Sequence, residues 1–141
     1  GDRGNELRLD LGLTNEQDEL NYLLRYSDVL INNFSTMGLE AAICDLPTIY
    51  VGYDAYTFGV RFGVTTRFQQ RMTHNRRPLR LRASKVATSE EELWLHIEQY
   101  LSDRTIDRES RQEYAISECG ELDGQAGKRL VEMIKSRLQA R

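Results

Sequence analysis

Residues 28 to 52 read DVLINNFSTMGLEAAICDLPTIYVG and carry the clearest folding signal in the chain. The segment Asp28–Asn32 is short and apolar on consecutive positions, which is typical of a strand buried on both faces of a parallel sheet. After a short turn, a helix is predicted over Thr36–Cys44, with Ser35 as its cap. The segment Thr48–Val51 is predicted to be a second buried strand. A strand, a helix and a strand at this spacing indicate a βαβ unit.

Outside this unit, helical periodicity and capping residues predict four more helices, over residues 15–25, 89–101, 107–117 and 125–138. Alternating apolar residues predict strands over residues 7–11 and 79–83, the second being an edge strand with one wet face. Residues 53–77 show no clear period and are predicted to form a long loop, which could contain a short helix around residues 57–62. The expected fold class is α/β, a partial Rossmann-like parallel sheet flanked by helices.

The composition limits the classes of protein to which the chain can belong. The chain has 141 residues, 40% of them hydrophobic and 29% charged, as in a soluble globular domain. We interpret residues 1–14 as an extension or edge strand and residues 15–141 as one domain. The net charge of −3 and the scattered cations argue against nucleic-acid binding.

Targeting and metal-binding signals are not evident in the sequence. No apolar run approaches the roughly 20 residues of a membrane span, and the polar N-terminus does not resemble a signal peptide. A cytoplasmic location is therefore expected. Cys44 and Cys119 form no metal-binding pattern, so reduced thiols are expected, with no metal and no cofactor.

The turn after the first buried strand is the candidate ligand site, because open α/β sheets bind ligands beyond the carboxyl ends of their strands. A helix that begins there offers unpaired N–H groups and the positive end of its dipole to a phosphate. Ser35 and Thr36 add hydroxyls, and Gly38 permits close approach of a ligand or of neighbouring backbone. Glu40 lies one turn further along and could accept hydrogen bonds from a ribose diol. The alternative is an ordinary capped helix in which Glu40 is simply solvated, and the sequence leaves both readings open.

The long predicted loop supplies further candidates. Arg76 and Arg77 make it cationic, and arginine forks can hold a diphosphate. His74 could act as an acid toward a departing phosphate. Tyr53 follows the second buried strand and could stack on a base or simply pack. The alternative for His74 and the arginines is a solvated basic loop without a specific role.

Two segments resemble a known group of enzymes. The run SDVLINNFSTMGLEAAICDLPTIYVGYD, residues 27–54, resembles the nucleotide-binding strand–helix–strand of glycosyltransferases with two Rossmann-like halves, the GT-B fold. The ending LDGQAGKRLVEMI, residues 122–134, resembles the closing Asp-Gly-x-Ala-x-x-Arg-Ile helix of one group within that fold. This group contains the UDP-N-acetylglucosamine 2-epimerases and the CDP-glycerol glycerophosphotransferases. The resemblance extends over most of the chain, from about Asn15 onward.

The resemblance implies a function. The chain would be the C-terminal, donor-binding half of a glycosyltransferase or glycerophosphotransferase of surface polysaccharide synthesis. Its substrate would be a nucleotide-diphosphate sugar or alcohol. Ser35, Thr36 and Gly38 would face the donor phosphates and Glu40 the ribose. An N-terminal half would supply the acceptor site, so this part alone is expected to be inactive.

Other functions stay open. The epimerases carry Ser-Gly-Gly where this chain has Ser35-Thr36-Met37-Gly38, so an epimerase-like enzyme is an alternative rather than the first choice. A non-catalytic binding or assembly module with the same fold is another. An incomplete sheet would leave an edge strand and apolar helix faces exposed, which predicts a homo-oligomer.

Overall fold

A computed structural model describes residues 16–53 and 72–139 of the chain. The helices in these ranges are α1 (Glu16–Tyr26), α2 (Met37–Ile43), α3 (Thr73–Arg80), α4 (Glu90–Ser102), α5 (Arg108–Cys119) and α6 (Ala126–Gln139). The strands are β1 (Leu30–Asn32), β2 (Thr48–Val51) and β3 (Lys85–Ala87). The strand expected at residues 7–11 and the short helix expected around residues 57–62 lie outside the described residues.

The three strands form one parallel sheet in the order β1-β2-β3. Leu30 pairs with Thr48, and Ile49 pairs with Lys85. The predicted βαβ unit is confirmed, because β1 and β2 are parallel neighbours joined through α2. The protein is therefore an α/β protein with a small parallel sheet flanked by helices, consistent with a Rossmann-like arrangement.

Helices cover both faces of the sheet. Successive residues of a strand point to opposite faces. Tyr50 of β2 lies against Gly38 of α2, whereas its neighbour Ile49 packs with Ala87 and with Tyr100 of α4. Therefore α2 and α4 lie on opposite faces. On the α2 side, α5 packs against α2 as a further layer.

The expectation that the first strand is buried on both faces is wrong. Ile31 is 43% exposed. The reason is that β1 lies at the edge of the three strands that the structure describes, and the α4 contacts fall on β2 and β3.

The edge strand expected at residues 79–83 is also wrong. Leu79 lies in the last turn of α3, and Arg82 has the left-handed φ of 56° just after the helix. The buried side chains Asn75 and Pro78 and the half-buried Leu79 recur at helical spacing. Five alternating residues fit a strand and a helix end equally well, and burial against the rest of the fold selects the helix.

The predicted long loop is likewise too long, because residues 73–77 belong to α3. A proline inside a helix removes one hydrogen bond. Here Pro78 is fully buried inside α3. Its carbonyl accepts a 2.9 Å hydrogen bond from the Ala83 amide and so helps to end the helix.

The start of α4 confirms the capping residue expected at Ser89. Ser89 Oγ accepts a 3.2 Å hydrogen bond from the Glu92 amide. The Glu92 carboxylate accepts from the amide and the hydroxyl of Thr88, at 2.7 and 2.6 Å. These bonds hold the pKa of Glu92 below its ordinary value.

A buried ion pair connects α5 to the end of α2. Arg111 is fully buried, and its Nη2 lies 2.9 Å from Asp45 Oδ1. The same guanidinium donates to the carbonyls of Arg104 and Ile106. Arg108 reaches the second oxygen of Asp45 at 2.7 Å. Because Asp45 follows α2 directly, these bonds hold the α2–β2 turn against α5.

The last helix, α6, confirms the prediction for residues 125–138 to within a residue or so, but none of its residues is buried. Its expected apolar face, which includes Leu130 and Ile134, lies in solvent. In the described ranges, none of the helices has the length and apolar character that crossing a membrane requires.

Candidate functional site

The carboxyl ends of β1 and β2 lie side by side, because the two strands are parallel neighbours. The turn at residues 33–36 leads from β1 into α2 at this edge. Four predicted site residues, Ser35, Thr36, Gly38 and Glu40, are therefore together where the sequence placed them.

The first amides of α2 already have acceptors within the chain. Ser35 Oγ accepts a 3.2 Å hydrogen bond from the Met37 amide. The carbonyls of Ser35 and Thr36 accept from the amides of Gly38 and Leu39, at 3.0 and 2.9 Å. The Thr36 side chain makes no capping bond. A phosphate at this helix end would have to replace these bonds, so the hydroxyls offer more to a ligand than the amides do.

Gly38 makes room for an aromatic side chain. It is buried, and a Cβ atom at this position would overlap the Tyr50 hydroxyl. Tyr50 also stacks on Phe34, with ring centroids 4.7 Å apart and planes 7° from parallel. Burial raises the pKa of Tyr50, and a hydrogen bond with Ser84 opposes that rise. The close neighbour that glycine permits here is thus the phenol of Tyr50.

The backbone of the turn is strained at Phe34. Its φ is 51°, which lies in the left-handed region, and its side chain is only 4% exposed. A bulky residue in the left-handed region costs about 1–3 kcal/mol, and such residues concentrate at functional sites. The stack on Tyr50 holds Phe34 in this conformation.

Asn32, the last residue of β1, is the unexpected member of the site. Its Nδ2 and Oδ1 are both buried and have no hydrogen-bond partner within residues 16–53 and 72–139. It pairs in register with Tyr50, so both side chains lie on the face covered by α2. An unpaired buried polar group costs about 1–3 kcal/mol. From the sequence, Asn32 was predicted only to end the first strand. A polar residue that ends an apolar strand at this edge could have indicated a binding role.

Glu40 and Tyr53 differ in their relation to this edge. Glu40 is exposed in the first turn of α2, and no ion pair with it occurs within residues 16–53 and 72–139. Tyr53 is half-buried and packs against the cluster around Ile49 on the α4 side of the sheet. Tyr53 therefore packs on the α4 side of the sheet, and its stacking on a base stays a prediction.

The cations predicted for a phosphate-binding loop lie on α3. Arg77 donates to Glu118 Oε1 at 2.9 Å and to the Ser117 carbonyl at 3.5 Å. Arg77 thus connects α3 to α5. Arg76 is exposed, and His74 belongs to the first turn of the same helix. Of the two arginines, Arg76 is the one whose position leaves it accessible to a ligand.

Within the described ranges, no three His, Cys, Asp or Glu side chains come together as a metal-binding group would. Comparisons of the chain with protein-family models, with curated proteins and with solved structures find no match. The fold and the candidate site therefore define a class only, an α/β protein with a polar, partly strained turn at the carboxyl edge of a parallel sheet.

Proposed function

We propose that the chain binds a nucleoside-diphosphate donor at the carboxyl edge of β1 and β2. The observation that carries this proposal is the buried, unpaired amide of Asn32. A ligand that pairs with this amide would recover the free energy that its burial costs. A primary amide offers two donors and an acceptor, which suits a base edge, a ribose hydroxyl or a phosphate oxygen.

The neighbouring residues suit the rest of such a donor. Ser35 and Thr36 place exposed hydroxyls at the start of α2, where they could donate to phosphate oxygens. Glu40 is exposed on the same helix and could accept from a ribose diol. Arg76, exposed on α3, is the candidate cation for a diphosphate.

We further propose that the parent protein is a cytoplasmic glycosyltransferase or glycerophosphotransferase of surface polysaccharide synthesis. In such a reaction the nucleotide departs as an anion, and hydroxyl donors and a cation at the phosphates stabilise the developing charge. The acceptor site would belong to a second half of the protein. The support is the resemblance of residues 27–54 and 122–134 together with the parallel βαβ unit.

A second candidate function is a non-catalytic assembly module. Two observations favour it, namely the locally paired amides of α2 and the use of Arg77 between α3 and α5. Both reduce the number of groups free to hold a phosphate.

A thermal-shift titration of the whole chain with UDP, CDP, GDP and the free nucleosides separates the two functions. The donor-binding proposal expects one diphosphate to raise the melting temperature. Asn32→Leu removes the unpaired amide, so it should raise the stability of the unliganded protein by about 1 kcal/mol and abolish the ligand shift. Ser35→Ala and Glu40→Ala should weaken the shift.

The matched control is Asn33→Leu, the same substitution at the adjacent, exposed asparagine. It should leave both stability and ligand shift close to those of the parent chain. The proposal fails if no nucleotide shifts the parent protein, or if Asn32→Leu binds as the parent does.

A further inference from the structure

The last helix has an amphipathic face that is exposed, and none of the helix's residues is buried. Leu130, Val131, Ile134 and Leu138 are each about half exposed or more. At 100° per residue they share an arc of about 100° on the helix. Lys128 and Lys135 flank this arc on one side and Arg137 on the other, so the face is apolar with a cationic border. We call these four apolar residues the α6 stripe.

A second exposed apolar face lies on α4. Trp94, Leu95 and Leu101 are 59%, 50% and 58% exposed. Glu91 and Glu98 lie among them on the same side of the helix and are exposed. We call these five residues the α4 face; it is apolar and acidic, whereas the α6 stripe is apolar with a basic border.

Within one copy, α6 begins far from the α4 face. It follows α5, which packs on α2, and α2 and α4 cover opposite faces of the sheet. Arg129 holds the first turn of α6 beside the preceding segment, through a 2.8 Å ion pair with Asp123. We therefore expect the α6 stripe to pack against another molecule and not against the α4 face of its own copy.

We propose that the α6 stripe of one copy docks on the α4 face of a second copy, and that the second copy returns the same contact. Charge complementarity selects this occupant, because α4 carries Glu90, Glu91, Glu92 and Glu98, and α6 carries Lys128, Arg129, Lys135 and Arg137 against Glu132. One helix pair is small beside the roughly 1,200 Å² that stable interfaces bury. A reciprocal, two-fold dimer uses two helix pairs and leaves neither face open.

Sedimentation velocity of the whole chain over a range of concentrations and salt tests this dimer. Reductant must be present, because Cys119 is exposed and could form disulfide-linked dimers. We expect a monomer–dimer equilibrium that weakens as salt rises. Trp94→Gln and Ile134→Gln should each weaken it by roughly thirtyfold or more, as expected for central apolar anchors. Leu23→Gln on α1, a position that is 51% exposed, is the matched control and should dimerise as the parent does.

Mixing the two variants separates this arrangement from other dimers. A Trp94→Gln copy keeps an intact α6 stripe, and an Ile134→Gln copy keeps an intact α4 face. A mixed dimer therefore has one intact contact and one contact altered on both sides. Because Trp94 and Ile134 would lose their shared interaction only once in the doubly altered contact, the mixture should associate more tightly than either variant alone. Unchanged melting temperatures of the variants would show that both are folded.

Three results would overturn the proposal. The first is a parent chain that stays monomeric at every concentration. If such a monomer binds vesicles of anionic lipid through Ile134, the α6 stripe docks on a membrane and not on a second copy. The second is a dimer insensitive to Trp94→Gln, which would indicate that α6 pairs with α6. The third is a mixture that associates no better than its components.

Discussion

Two arginine–aspartate ion pairs of almost equal length lie in very different surroundings. Arg111 approaches Asp45 at 2.9 Å, and Arg129 approaches Asp123 at 2.8 Å. The Arg111 side chain is fully buried between α5 and the end of α2, whereas the Arg129 side chain is 42% exposed at the start of α6.

The difference shows that the length of an ion pair says little about its contribution to the fold. Water screens the exposed pair, and the two side chains lose entropy when they are held together. Removing Arg111 takes away a fully buried guanidinium that also donates to two backbone carbonyls, and these lose their donor. Arg111 also connects parts of the chain that are 66 residues apart, while Arg129 and Asp123 are 6 residues apart.

The largest expected effect is that of Arg111→Ala. Asp45 keeps its bond to Arg108, but the carbonyls of Arg104 and Ile106 lose their donor, so the free energy of unfolding should fall by about 2–5 kcal/mol. Urea denaturation measures it. Arg108→Ala is the control, because Arg108 bonds the same aspartate but is 42% exposed; it should cost about 1 kcal/mol or less. Equal losses in the two variants would contradict the distinction between buried and exposed pairs.

Gly38→Ala should have the next largest effect on stability. It tests how rigidly the buried side chains between α2 and the sheet are packed. The added methyl overlaps the Tyr50 hydroxyl, and Tyr50 is held by its stack on Phe34. Overpacking of this kind costs about 1–3 kcal/mol. The same change in a Tyr50→Phe background should cost clearly less, because the overlapping oxygen is gone. A double-mutant cycle of unfolding free energies that shows no coupling would contradict this packing.

Arg129→Ala should have a much smaller effect on stability. The ion pair is exposed and α6 has no buried residue, so the urea midpoint should change by little more than its experimental error. A loss approaching that of Arg111→Ala would show that α6 contributes to the fold of the monomer.

The smallest effect is a change in pH dependence. The hydrogen bond that Asp123 accepts from Arg129 holds the pKa of Asp123 below its ordinary value. A lowered pKa means that the stabilisation is present above the pKa of the unfolded chain and is lost as the pH falls through the folded value. NMR titration of the Asp123 carboxyl should give a midpoint below the ordinary one, and Arg129→Ala should raise it. An unchanged midpoint in the variant would contradict the assignment to Arg129.

The comparison also explains which features could be predicted from the sequence. The βαβ unit and the Ser89 cap follow from residues close together in the chain, and both are confirmed. The alternation of residues 79–83 was misleading, because it fits a strand and a helix end equally well and burial against the rest of the fold selects the helix. Ser35, Thr36, Gly38 and Glu40 were correctly placed at one edge of the sheet, but their binding role stays a prediction.

Short-range regularities were enough to establish a parallel α/β unit with a polar turn at its edge, because periodicity and capping depend on neighbours within a few residues. The tertiary structure decided which groups meet across the chain. It placed Tyr50 against Gly38 and paired Arg111 with Asp45. Among the described residues it left the Asn32 amide without a partner, and it left every residue of α6 unburied. These outcomes depend on packing between distant elements, and burial sets their energies in a way that residue type alone cannot.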